Sequence, residues 1–564
     1  MLSSSLLKIE KAKRMTAQGK YVLRIEGVNL SNVIDDTDQL SVRRGGGLMI
    51  LNTAPALKKL LPADIESRLT EIATGASIGL FEFEATETEA KEIRTTVEQT
   101  LTTGALEFQK LIRENKVSQL PLKHGTFVVD IVELSDAANV QQAEQLATAR
   151  NRWRQLKSPT LSLDEVWEKG LNVPCTLDRT RPATKIRDIN EDQKQAAVCQ
   201  STADRREYGR GARQKFYRDE LLPVAMEHPK FAQFIDRIAF TNDVTQLSEW
   251  RNREENVESA GNVNGSGNAP YVPPNLSDKI AVFYVDGNGF GQKGRAIFES
   301  QGVDGYRQWS LALKEHHRQL LKGLLSLTEN DPLWQSEEQS AKQDAIVIRL
   351  ETLLWGGDEI LWIVPAWKGW EVAEWFFRQV HEITLPGNSQ TETLTYGSGL
   401  VFCHAKAPIK NVMRLAHDLG DVAKDARGKD NVHRLAYEVL ESFDDISGDL
   451  NEHRQRFLPT TATLADLVID PAQLKDRWLP LTNLASSSDF PMRQLYRLVT
   501  AWRKDADGDL LAATGRIVRA CDDAGIDYKP LLSAFGDPAG WLHLLQMLPY
   551  LPTTDTRKKV EDEA

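Results

Sequence analysis

Cysteine is scarce in this chain: four in 564 residues (Cys175, Cys199, Cys403, Cys521), none in a CxxC pair. That excludes a disulfide framework and leaves too few clustered thiolates for a structural zinc. Long apolar runs are also missing. None approaches the ~20 residues a membrane helix needs, so no membrane role is expected. Positive charge is not in excess, with 69 Lys and Arg against 80 Asp and Glu and a net charge of −11. Wholesale wrapping of nucleic acid is thereby excluded, although a local basic patch is not. The start, "MLSSSLLKIEKAKRM", lacks an apolar signal core and a small-residue cleavage site. A cytoplasmic location is expected.

What is present is ordinary globular material, 41% hydrophobic and 26% charged. The length suggests about three or four domains. Residues 20–135 alternate in period and length as β-α-β-β-α-β, a ferredoxin-like order. "YVLRIEGV" is the first strand, "RRGGG" (Arg43–Gly47) leads into a helix near Leu48–Leu61, and a hairpin turns near Thr74 and Gly75. The same order recurs over residues 278–445, which points to duplication. "KIAVFYVDG" is a strand, "YRQWSLALKEHHRQLLKGLLSL" a helix, "AIVIRLETLLWGGDEILWIVP" a hairpin and "APIKNVMRLAHDLGDVAKDA" a last helix beginning at Pro408. The expected fold class is α+β. It comprises a first ferredoxin-like unit (1–160), a helical region with a linker at Asn256–Asn275 (161–276), a second ferredoxin-like unit (277–446) and a helical C-terminal domain (447–564).

The second unit carries the chemistry. "YVDGNGFG" places Asp286 at the end of a central strand, and "GGDE" places Asp358 and Glu359 at a hairpin turn. Carboxylates converging there suit Mg²⁺ or Mn²⁺, hard ions held by one or two carboxylates plus substrate phosphates. Gly287, Gly289 and Gly291 let backbone N–H groups approach a triphosphate, Gly356 and Gly357 leave room for a nucleotide, and Lys424 offers a point charge. Either motif alone is an ordinary turn; together, in this element order, they read as a site. Aligned by element order, Glu26 falls opposite Asp286 and Ala76 opposite Asp358, so the first unit keeps one acid only. Blander readings attach to other motifs. "DRREYGRGARQK" (Asp204–Lys215) reads as a solvated face, His417–Asp418 as a surface pair, and His316–His317 as helix residues without matching ligands. "RRGGG" reads as a phosphate loop or a flexible helix entrance.

These residues resemble the nucleotide-cyclising palm of the large subunit of type III CRISPR effector complexes, a relative of GGDEF cyclases. The resemblance rests on "VDGNGFG", "LWGGDEILWIVP" and the last helix, with "RIEGVNLSNVIDDTDQLSVRRGGGLMIL" similar to the degenerate first palm of that family. "VPCTLDRTRPAT" and "VCQSTADRREYGRGAR" resemble remnants of its inter-palm zinc ribbon, of whose cysteines Cys175 and Cys199 remain, so no zinc is expected. The resemblance implies that the two units are adenylyl-cyclase-like palms, with Mg²⁺-dependent joining of ATP into cyclic oligoadenylates between them. It also implies guide or target RNA and other effector subunits as partners. Carried over by position, Asp286, Asp358 and Glu359 are the catalytic acids, and Asp286, Val285 and Asp358 the metal ligands. Gly287, Asn288, Gly289, Phe290, Gly291, Gly356, Gly357 and Lys424 form the nucleotide-contacting set. Glu359 stands where the family usually has Asp, and Asn288 where an acid is frequent. No nuclease segment with an HD motif precedes the first palm, so DNA cleavage is not expected. The competing readings are a catalytically silent tandem-palm scaffold and a diguanylate-type cyclase.

Overall fold

The computed structural model describes residues 17–75, 77–103, 122–137, 139–158, 170–188, 195–250, 270–336, 345–385, 391–428, 430–440, 449–456, 458–485, 490–504 and 507–554. The "MLSSSLLKIEKAKRM" start and most of the Asn256–Asn275 linker lie outside them. In the first unit, β1 (Gly19–Val28), α1 (Leu40–Leu60), the hairpin β2 (Thr70–Gly75) and β3 (Ile78–Ala85), α2 (Glu87–Thr103) and β4 (Thr126–Glu133) follow in the expected order. The sheet order is β2-β3-β1-β4, all antiparallel. Alternation along β1 sorts its side chains between two layers. Tyr21, Leu23 and Ile25 pack on Leu57 of α1 and Val97 of α2, whereas Val22 packs on Ala143 and Ala147 of α3 (Val140–Gln155).

A small hairpin, β5 (Lys185–Asp188) with β6 (Gln195–Val198), leads into α4 (Gln200–Glu227) and β7 (Ile238–Phe240). The second unit is β8 (Lys279–Gly287), α5 (Phe290–Glu329), β9 (Ile346–Ile348), β10 (Glu351–Gly356), β11 (Glu359–Pro365), α6 (Gly369–Arg378), β12 (Tyr396–His404), α7 (Ile409–Ala426), β13 (Arg434–Val439) and β14 (Val468–Ile469). Its sheet order is β10-β11-β8-β12-β13-β14, which puts β8 in the interior. Phe283 and Val285 of β8 join one core layer, and Val282 and Tyr284 join the other, beneath Val412 and Leu419 of α7. Helices from α8 (Pro471–Ala485) to α9 (Pro538–Met547) follow. No helix among the described residues is long and apolar enough to cross a membrane, and all four cysteines are unbridged and buried.

Three details differ from the sequence expectation. Helix α5 starts at Phe290 rather than Tyr306, and Gly302 (φ 68°) breaks it. Strand β9 leaves the hairpin to pair in parallel with β7. The third detail is register. Gly75 faces Ile78 as Gly356 faces Glu359, and both hairpins slip register at the same place, between Glu71 and Ala73 and between Thr352 and Leu354. Gly27 N–H donates to Ser77 O at 2.8 Å, as Gly287 N–H donates to Asp358 O at 2.9 Å. Ser77 therefore stands at the Asp358 position, one residue from the Ala76 that element order suggested. Ladder hydrogen bonds, not the lettering of a turn, set the register.

The polar motifs also resolve differently. "RRGGG" lies inside α1, with Arg43–Gly46 buried, so it is neither a phosphate loop nor a flexible entrance. A Cβ on Gly45 would lie 1.8 Å from Arg205 O, and one on Gly209 would lie 2.2 Å from Ser41 O. The glycines let α1 and α4 meet backbone to backbone. The Asp204–Lys215 stretch is likewise not a solvated face. Arg205 and Arg213 are buried, held by Asp36 at 2.7 Å and Glu351 at 2.9 Å.

Candidate functional site

Strand β8 ends where the β10–β11 hairpin turns. Asp286, its penultimate residue, lies directly opposite Glu359 on β11 and Gly397 on β12. Opposed residues share a face, here the one covered by α7. Lys424, in the last turn of α7, donates from Nζ to Asp286 Oδ2. The Tyr284 hydroxyl donates to Glu359 Oε1 at 2.7 Å, and burial followed by the Glu359 and Asp286 charges pushes its phenol far up, so it remains a donor.

Asp358 occupies the turn. Gly356 (φ 124°) and Gly357 (φ 67°) adopt backbone that side chains disfavour, which is why two glycines precede the acid. Burial first, then the neighbouring Asp286 and Glu359 charges, raises the Asp358 carboxyl to about 6. Asp358 and Gly357 line a cavity of about 570 Å³ between the two units. Gly291 and Arg295, at the start of α5, form one wall, where the helix N-terminus favours an anion. Tyr306 and Trp309 give it an aromatic side, and Arg24, Thr74 and Glu144 of the first unit face them. Gly289 (φ 69°) makes the sharp entry to α5, and no atom lies within 4 Å of a Cβ built on Gly291. Contacts between the units flank this cavity, among them Lys314 Nζ donating to Thr74 Oγ1 at 2.9 Å, Arg307 Nε to Glu71 O at 3.0 Å and Gln141 Nε2 to Glu299 Oε1 at 2.9 Å.

Most of the expected side chains thus fall into two sets. Asp286, Glu359 and Lys424 share the α7 face, while Asp358, Gly357, Phe290 and Gly291 line the cavity. Val285 lies inside the sheet opposite Ile360 and Ser398, so only its backbone could serve a metal. Asn288 belongs to neither set, which corrects its expected nucleotide contact. It is 3% exposed, and its Nδ2 donates inward to Thr395 Oγ1 at 3.1 Å and Val432 O at 3.2 Å. The turn after β8 points it into the protein. Its Oδ1 has no partner, and the Thr395 hydroxyl is already donated to Asn431. Asn288→Asp, the acid frequent in the resembling family, therefore adds a buried charge facing a carbonyl. It is expected to lower stability by about 2–4 kcal/mol without adding a metal ligand, which thermal melting and metal titration would check.

Sequence reasoning missed Arg295, Arg24, Tyr284 and Trp309. Arg295 was legible in principle, since extending α5 back to Phe290 puts it on the first turns after the glycine loop. His316 does have a neighbour: its Nε2 lies 3.3 Å from His381 Nδ1, and burial lowers the His316 ring to about 4, so it is uncharged at neutral pH. In the first unit, Glu26 is buried between Arg24 and Arg152, the latter at 2.8 Å. Two guanidinium groups already satisfy this carboxylate, which leaves it unavailable to a metal. Around Asp358 the balance is reversed. Its carboxyl is raised first by burial and then by the Asp286 and Glu359 charges, and Asp286 is paired with the Lys424 ammonium. Hard oxygen donors with surplus negative charge fit a divalent cation.

Residues 279–433 match the family model "Cas10/Cmr2, second palm domain". No curated protein sequence matches the chain. Three solved structures are similar over most of it. A Csm1-Csm4 cassette in complex with cA4 shares 12% identity, covering 94% of this chain and 69% of that one at a TM-score of 0.47. A Csm1-Csm4 cassette in complex with one ATP shares 12%, covering 94% and 70% at 0.47. Csm1 in T.onnurineus shares 12%, covering 96% and 71% at 0.45. The unit that holds Asp286 and Asp358 is thus the one that matches the Cas10/Cmr2 second palm.

Proposed function

We propose that this chain is a nucleotidyltransferase that joins nucleoside triphosphates, ATP first among them, into cyclic oligonucleotides as a second messenger of type III CRISPR-like defence. The observation that carries the reading is Asp358. It is a carboxylate held at about 6 by burial and by Asp286 and Glu359, at the mouth of a cavity shared by two palms. Asp286 and Asp358 would hold Mg²⁺ or Mn²⁺, with Glu359 and the Val285 carbonyl as further oxygens. When bound, such an ion supplies charge that favours a 3′-alkoxide and the leaving pyrophosphate in in-line attack on an α-phosphate.

The rest is positioning and electrostatics by this chain's own groups. The α5 N-terminus, with Gly291 and Arg295, draws the triphosphate toward Asp358. Lys424 is free to turn to phosphate once a divalent ion satisfies Asp286. Tyr306 and Trp309 offer faces for a base. The first palm, its Glu26 neutralised, presents the acceptor nucleotide rather than a second set of ligands. RNA and further effector subunits are the expected source of control.

The scaffold reading has one observation in its favour, the closed Lys424–Asp286 and Tyr284–Glu359 pairs. Labelled ATP or GTP with Mg²⁺ or Mn²⁺, with and without partner subunits and target RNA, separates the two when products are resolved by mass. Cyclic product that vanishes in Asp286→Ala and Asp358→Ala supports the enzyme. Silence with partners and target present favours the scaffold.

A further inference from the structure

Away from the acid pair, the described residues bring together one set of three metal-ligating side chains with ligand atoms within 4.8 Å of one another: Cys175, Asp178 and Cys199, all buried. They belong to two spaced pairs, Cys175-x-x-Asp178 and Cys199-x-x-Thr202. This is the spacing at which zinc knuckles present thiolates. Thr202 completes a four-point figure. Its Oγ1 lies 3.5 Å from Cys175 Sγ and 3.4 Å from Cys199 Sγ, and Cys199 Sγ lies 3.3 Å from Asp178 Oδ2. Such separations are close to the edges, roughly 3.5 Å, of a tetrahedral shell built on zinc–sulfur and zinc–oxygen bonds. On spacing and separation alone, this figure could hold a metal.

The donor chemistry does not fit one. The Asp178 carboxylate is already fully engaged. Its Oδ1 accepts the backbone N–H groups of Thr180 and Arg181, each at 3.0 Å. Its Oδ2 accepts Arg181 Nη1 at 2.8 Å and the Cys199 thiol. A guanidinium therefore sits on the oxygen a cation would need. Thr202 offers a neutral hydroxyl that already donates to Cys199 O at 3.2 Å. Two thiols remain where a structural zinc site uses four nitrogen or sulfur ligands.

We propose that this is a metal-free knuckle, closed by hydrogen bonds among its four positions, in which Arg181 has taken over the cross-linking a zinc ion would provide. Arg181 reaches out of the turn to the first palm, with Nη1 2.6 Å from Asp36 Oδ2 and Nη2 2.8 Å from Asn32 O. Asp36 in turn accepts Arg205 Nη1 at 2.9 Å and Nη2 at 2.7 Å, a bidentate pair from α4. One buried chain of charges thus ties the knuckle, the first palm and α4 together. Each charge has its counter-charge, the condition under which buried ion pairs hold.

The test uses the full chain purified without chelators. Metal analysis of the wild type is expected to find zinc well below one per chain, and its melting temperature is expected to be the same with EDTA as with added zinc. Asp178→Cys with Thr202→Cys is expected to gain one zinc per chain, a tetrahedral Co²⁺ spectrum on cobalt substitution and EDTA-sensitive melting. Arg181→Met in the wild-type background is expected to melt lower, and EDTA is expected to change nothing further. Should the double variant fail to fold, the wild-type EDTA comparison and Arg181→Met decide alone. Stoichiometric zinc in the wild type, lost to EDTA together with stability, would overturn the proposal. So would a folded double variant that takes no zinc, or an Arg181→Met protein that melts like the wild type.

Discussion

Asp358→Asn is expected to silence nucleotidyl transfer while raising stability above neutral pH. Loss of a direct metal ligand should cost more than the ~10–100-fold that outer partners of such ligands cost. The stability gain follows from linkage. The Asp358 pKa is raised from 3.8 to about 6 in the folded protein, so the folded state binds the proton more tightly than the unfolded one. Stability therefore falls as pH rises from about 4 to about 6 and stays low above that window, by on the order of 3 kcal/mol. Asparagine keeps the shape and removes the charge, so the variant should melt higher than wild type at pH 8. That advantage should shrink as the pH falls through 6 toward 4. Asp286→Ala should be equally silent; it removes the partner of Lys424 but also a charge that raises Asp358, so its stability shift should be smaller than that of Asp358→Asn. An inactive Asp358→Asn protein that melts above wild type at pH 8 would show that this acid is kept for chemistry. Melting curves from pH 4 to 8, beside the product assay, would check both. An Asp358→Asn protein no more stable than wild type at pH 8 would contradict the burial argument.

Legibility in the sequence followed how local each signal was. The strand–helix order of both units came from side-chain period and stands, although α1 and α5 begin earlier than the period suggested and β9 leaves the hairpin. The acids were legible because Asp286 and Asp358 interrupt apolar strands beside glycines. Register was not. Ser77, rather than Ala76, matches Asp358 because of ladder bonds that no local pattern encodes. Asn288 looked like part of a glycine loop, yet its neighbours Thr395 and Val432 lie over a hundred positions away in sequence. Charge was the most misleading signal. Arg43, Arg205 and Arg213 sit in stretches that read as polar surface or loop, and all three are buried by helix crossings that Gly45 and Gly209 make possible. The interface between domains is thus written in residues that, taken alone, resemble a basic patch.

The strongest stability effect is expected at that interface, from Glu351→Ala. Glu351 opens β10, the strand that ends at Gly356, and is 1% exposed. Arg44 of α1 holds both its oxygens, from Nε at 2.6 Å and Nη2 at 2.5 Å, and Arg213 of α4 reaches Oε2 at 2.9 Å. Three regions of the chain thus converge on one carboxylate. Burial lowers the Arg213 guanidinium to about 10, and Glu351 is the largest influence opposing that shift. Without Glu351, two arginines remain buried with no counter-charge from this site. Breaking such a triad on one side costs about 3–5 kcal/mol, whereas replacing all of it with packed apolar groups is often neutral. Glu351→Ala should therefore melt far below wild type, with new proteolytic cleavage between the palms. Arg44→Met, Glu351→Leu and Arg213→Met together should recover most of the loss. If the triple variant is as unstable as the single one, the carboxylate contributes packing rather than charge compensation. If recovery is seen but product formation stays low, the triad also holds the β10–β11 turn in the geometry that Asp358 needs, and stability and catalysis meet at the same strand.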